Sequence, residues 1–206
     1  MLYEDAGCVR FAWKELVGNG QPGPQCAKTI TDMLARLKQR SPGWELLKPE
    51  GEAPIWALCT AAVSAAPAAL VLKGRDGMGE HGLICTPFPI DAGGCGHDCG
   101  IQIEVHELDR QAVVVVRIDP VLLDYLKFDS MVAPPVTAGL PVFLRGDLPA
   151  PVAVSLALSY ADQAESVWVP EELRGGRDVC VFSHRQEELG RASENHFSTG
   201  RRGLYG

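Results

Sequence analysis

Residues 101–118 read IQIEVHELDRQAVVVVRI, and the fold class follows from this stretch. The first eight residues alternate apolar and polar, the period of a strand with one face in water. The run from Ala112 to Ile118 is almost continuously apolar and β-branched, as suits a strand covered on both faces. Residues 108–111 form a short polar link, so the two runs are expected to close into a hairpin. A hairpin with one wet face belongs to an antiparallel or mixed sheet.

Downstream, residues 142–144, 152–159, 166–169 and 179–182 are short apolar runs of strand length, set apart by turn residues around Gly146, Pro149 and Gly175-Gly176. Upstream, residues 69–73 and 82–88 read the same way, with a glycine-rich turn at 74–79. Helices are fewer. From Cys26, the positions Ala27, Ile30, Met33, Leu34 and Leu37 recur at helical spacing. Arg36, Lys38 and Arg40 fall in the last turns, where cations suit the negative helix end, and Ser41-Pro42-Gly43 stops the helix. Asp119-Pro120 opens a short helix over 121–128, and 186–193 is a further helical candidate. Residues 2–17 fit neither period well and could be a short strand or a helix, residues 55–66 fit either period, and 44–54 reads as a charged connection. The expected fold is α+β, with a mostly antiparallel or mixed sheet, two to four helices and strand content above helix content. Residues 1–206 are expected to form one domain, with a subdomain boundary at the proline-containing connector 132–140 and an extended tail at 197–206.

The composition bounds the function. Hydrophobic residues make up 46% and charged residues 22%, an ordinary globular balance at a length of 206 residues. Such a chain buries roughly 70% of its unfolded surface and needs no disulfide frame. The net charge of −7 disfavours a nucleic-acid partner, which calls for a basic face. The longest apolar run, 55–72, is interrupted by Thr60, Ser64 and Pro67 and is too weak for a membrane span. The N-terminus has no apolar signal core, and seven cysteines is an odd number, so the thiols are expected reduced in a cytoplasmic protein.

Chemistry concentrates just before the hairpin, in GGCGHDCG at 93–100. Cys95, His97 and Cys99 occupy alternate positions, which lie on one side of an extended segment. Thiolate and imidazole are the ligand types zinc prefers, and Gly94, Gly96 and Gly100 let the backbone bend around an ion. His106, His81 or Cys85 would supply a fourth ligand. The leading expectation is therefore a zinc site, structural or hydrolytic. The spacing matches no standard zinc knuckle, so a plain glycine loop or a Cys95–Cys99 redox pair stays open. On the hairpin itself, Glu104 and His106 share a face and would make a carboxylate–imidazole pair.

Two other classes compete. Cys26 starts a helix, where the dipole favours a thiolate, and His81 starts a later strand. This layout, over 21–88, is similar to that of papain-like cysteine hydrolases. The resemblance implies Cys26 as nucleophile and His81 as its base, with Gln102 or Glu104 orienting the imidazole. The third class is a non-enzymatic subunit of a larger assembly, docking on a protein partner or a second copy through the connector and the tail that carries Arg201 and Arg202.

Overall fold

The computed structural model describes residues 3–5, 7–13, 23–92, 99–171 and 177–194. In chain order the elements are β1 (Tyr3–Asp5), β2 (Cys8–Ala12), α1 (Cys26–Arg40), β3 (Leu46–Glu50), α2 (Ile55–Ala65), β4 (Ala69–Asp76) and β5 (Gly79–Cys85). Then follow β6 (Ile101–Leu108), β7 (Gln111–Ile118), a 3-10 helix (Tyr125–Ser130), β8 (Val142–Gly146), α3 (Ala150–Ala161), β9 (Ser166–Pro170), β10 (Arg177–Ser183) and β11 (Ala192–Glu194). The fold is α+β, with more strand than helix in two mixed sheets.

The sheets run β1-β2-β3-β4-β5 and β11-β10-β9-β8-β7-β6. Each holds three parallel neighbours, β2-β3-β4 in one and β7-β8-β9 in the other. Each parallel trio is flanked by antiparallel strands, β1 and β5 in one sheet, β6 and β10 in the other. The chain thus traces the same path twice, with β11 added at the end. α2 and α3 fill equivalent crossovers and begin alike, behind an extended proline: Pro54 at φ −65°, ψ 147° and Pro149 at φ −61°, ψ 142°. In the other crossover α1 serves the first half, whereas the second uses the 3-10 helix and the connector 131–141.

α2 and α3 lie between the sheets, and α1 packs on α2. α2 touches β4 of its own sheet and β9 and β10 of the other; α3 touches β9 and β10 and also β4 and β5. One cluster of buried side chains runs through both sheets and all three helices. No helix among the described residues is long and apolar enough to cross a membrane.

The hairpin forms as expected, in register from Ile101↔Ile118 to Leu108↔Gln111. α1 also matches, burying Ala27, Ile30, Leu34 and Leu37. The structure corrects four expectations. Residues 152–159 belong to α3: a helix covered by two sheets shows no polar stripe, and its β-branched valines then read as strand. Residues 44–54 contain β3, whose LLKPE is too short and charged to announce a strand. The helix expected over 121–128 is a 3-10 helix over Tyr125–Ser130, started where the Asp124 carboxylate accepts the Leu126 N–H at 3.0 Å. Residues 186–193 form a turn leading into β11, with Gly190 at φ +76°. The ambiguous 55–66 resolves as α2, and the described part of 2–17 includes β1 and β2. The tail 197–206 lies outside the described residues.

Gly146 marks where β8 passes closest to β7. Its φ is +87°, and a Cβ there would stand 2.0 Å from the Val116 carbonyl oxygen. Gly146→Ala should cost more than about 3 kcal/mol, since backbone must move as well as adopt a strained conformation. Gly51→Ala, at φ +91° with nothing within 4 Å, should cost about 1–2 kcal/mol, the conformational part alone. Urea midpoints of the two variants check the difference.

Candidate functional site: a cleft where two strands part

β3 pairs with β4 only at Leu46 and Leu47, then the strands diverge. Pro49, which has no N–H to offer, falls where that partner has been lost. The parting opens a cleft of about 900 Å³, the size range of small-molecule sites. Its apolar wall includes Leu58 of α2 and Val71 and Leu72 of β4. Ala53, just ahead of α2, and Ala150, the first residue of α3, both line it, so two helix N-termini reach the same space. Neither N-terminus is capped by a side chain, and neither first turn carries an acid. Each presents the positive end of its dipole, roughly half a charge, although Pro151 brings no N–H to the first turn of α3 and the Ala57 N–H of α2 already donates to the Pro54 carbonyl at 2.9 Å.

Charged groups stand at the mouth. Lys48 and Glu50 of β3 and Glu52 of the following loop are exposed. Lys73 and Glu80 face each other across the β4–β5 pair at 2.7 Å, and the ammonium holds the Glu80 carboxyl below its usual range.

The second half shows how such a gap is closed. β8 likewise pairs with β9 at only two positions, Val142 and Phe143. There Phe143 stacks on Trp168, ring centroids 5.6 Å apart, and Arg145 lies 5.4 Å over Phe143. Arg145 also reaches past β9 to the buried Asp178 of β10, at 2.5 Å. By the register of each middle strand on its outer neighbour, Cys8↔Leu46 to Ala12↔Glu50 and Ala112↔Val142 to Val116↔Gly146, Pro49 holds the place of Arg145. Proline has no charged arm to repeat that bridge, and the first crevice stays open.

The residues singled out by sequence are scattered. Cys95 and His97 lie outside the described residues. Cys99 is buried at the foot of β6, where its carbonyl accepts the Asp124 N–H at 3.1 Å. His106 stands five residues up β6 from Ile101, about 16 Å at the rise of a strand. Ligand bonds are about 2 Å, so His106 does not share an ion with Cys99. It faces solvent beside Glu104 at 3.6 Å, and Glu104 also contacts Arg117 at 3.3 Å. That is an exposed pair worth at most about 1 kcal/mol. Cys85 is buried, and burial pushes its thiol up to about 12. Among the described residues, no three His, Cys, Asp or Glu side chains gather closely enough to hold a metal ion.

Cys26 is the half-buried first residue of α1, with a free thiol. No hydrogen bond found among the described residues joins it to His81. The group that orients His81 is Asp76, five residues upstream on the same hairpin, at 2.9 Å from Nε2. Asp76 also accepts the N–H groups of Met78 at 2.8 Å, Gly79 at 3.2 Å and Tyr125 at 2.9 Å. Its carboxyl is pulled down to about 2, first by the Tyr125 N–H and then by His81 and Met78, against the opposing effect of desolvation. The sequence signal for this acceptor was the turn DGMG; the Tyr125 contact, 49 residues away, left none.

No known protein family matches the chain, and no curated protein is significantly similar to it.

A carboxyl with a lowered folded pKa stabilises above its unfolded value, about 3.9, and loses that contribution as pH falls towards 2. Asp76→Asn should therefore be less stable at pH 7 and should lose less stability than the natural protein between about pH 4 and pH 2. Chemical denaturation across that range reads both effects.

Proposed function

We propose that this protein binds a small organic anion in the cleft between β3 and β4, with the anionic group at the helix N-termini and the apolar part against Leu58, Val71 and Leu72. The observation that carries the reading is the convergence of two uncapped N-termini on one cleft. Backbone N–H groups and aligned dipoles favour phosphate or carboxylate there. Lys48 adds a cation, while Glu50 and Glu52 at the mouth act against extended polyanions and favour a compact ligand. Citrate and pyrophosphate serve as carboxylate and phosphate probes in calorimetric titration. At least one should bind saturably, with affinity several-fold weaker in Lys48→Ala. Ala150→Asp should abolish binding while leaving the melting temperature unchanged or higher, since an acid in the first turn stabilises a helix as it occupies the anion's place. Failure of both probes to bind at millimolar concentration, or full binding by Ala150→Asp, rejects the reading.

A second reading is a zinc site built on Cys95, His97 and Cys99. Three ligand-type side chains within five residues support it, as does the position of Cys99 beside Gly100 at φ +73°. Elemental analysis of purified protein should give about one metal per chain, lost in the double variant Cys95→Ala/Cys99→Ala. Metal-free protein with unaltered melting removes this reading and leaves the cleft untouched.

A further inference from the structure

A second, smaller cavity of about 240 Å³ lies at the opposite end of α2, where α1, the end of α2 and the end of β10 meet. Its floor is apolar, formed by Val63, Val181, Phe182 and Leu189. On the wall, the Thr31 and Ser64 hydroxyls bond each other at 2.8 Å, which satisfies them without a ligand. Ser183 is likewise engaged: its hydroxyl donates to Glu188 at 3.0 Å and accepts the Arg185 N–H at 3.0 Å.

The mouth is different. Lys28 and Asp32 of α1 both line the cavity, one helical turn apart. Among the described residues, neither forms an ion pair or side-chain hydrogen bond, with each other or with a neighbour. The order Lys then Asp along a helix is the less favourable of the two for pairing, since each charge sits on the wrong side for the dipole. A turn of helix rises about 6 Å over four residues. One unpaired cation and one unpaired anion therefore stand one turn apart at the rim of a cavity with an apolar floor.

We propose that this cavity binds a free α-amino acid with an apolar side chain. Lys28 would take the carboxylate, Asp32 the ammonium, and Phe182 with its aliphatic neighbours the side chain. The cavity is smaller than the usual range for drug-sized ligands, about 300–1,000 Å³, and suits a molecule of this size. A zwitterion satisfies both charges at once, whereas a simple anion or cation of the same shape leaves one unmet.

The test is calorimetric titration of the full chain with L-leucine, 4-methylpentanoate, isoamylamine and N-acetyl-L-leucine amide. L-leucine should bind saturably, at least tenfold tighter than each of the other three. Lys28→Met and Asp32→Asn, both at exposed helix positions, should each weaken L-leucine at least tenfold without changing the melting temperature. Lys48→Ala, in the other cleft, should leave L-leucine binding unchanged, so the two proposals fail or stand separately. No binding of L-leucine at millimolar concentration overturns the inference. So does equal binding of the acetylated amide, or full binding by both variants.

Discussion

Two sheets share one layer of helices, and the rest of the molecule answers to that constraint. α2 and α3 have almost no surface left for water, so both are apolar around nearly their whole circumference. Close approach from several sides demands small residues, and alanine supplies most of them: Ala57, Ala61, Ala62 and Ala65 on α2, Ala153 and Ala157 on α3. Most of the few polar groups in this layer are satisfied from inside. Thr60 donates to the Trp56 carbonyl at 2.9 Å, and Ser159 donates to that of Ser155 at 2.7 Å while accepting the Phe88 N–H at 2.8 Å. Tyr160 donates to the Pro134 carbonyl at 2.9 Å. Each such bond contributes about 0.5–1.5 kcal/mol, and an orphan in the same place would cost 1–3. The Ser159 and Tyr160 bonds also fix the segments after β5 and before β8 to the central layer.

How much of this was legible in the sequence depended on how many sides an element exposes. The hairpin at 101–118 and helix α1 were readable because each keeps one face in water, and that face writes its period into the chain. α3 was not readable, since burial on all sides erases the polar half of the pattern and leaves Val152 and Val154 to suggest a strand. β3 was missed for the opposite reason. Only Leu47 of its five residues is fully buried, so Lys48, Pro49 and Glu50 look like a connection. The cleft went unseen with it, because its origin is a pairing that stops after two residues, and no local pattern encodes where a strand loses its neighbour. Cys26 and His81 were visible as reactive types. The partner of His81 was local and recoverable in principle, but Asp76 reads as an ordinary turn residue until the chain brings Tyr125 against it.

The repeated path of the chain gives the two halves the same opportunity, and their side chains use it differently. Both middle strands lose their neighbour after two pairs, and both lead through a proline into a buried helix. In the second half, stacked aromatic rings and a buried arginine–aspartate pair close the gap. A buried ion pair of that kind is poor evidence for added stability, because desolvating both charges offsets their attraction. It is better evidence that the gap needed filling with something that reaches across a strand. The first half has Leu47 and Pro49 at the positions of Phe143 and Arg145, and neither can repeat the ring stack or the ion pair. Its crevice also receives Ala150 from the second half, which is where the halves become interdependent. Asp76 makes the same point at the other end of β4, as a first-half carboxylate satisfied partly by the Tyr125 N–H of the second. The open crevice therefore has one wall that its own half cannot build, and whatever occupies it rests against both.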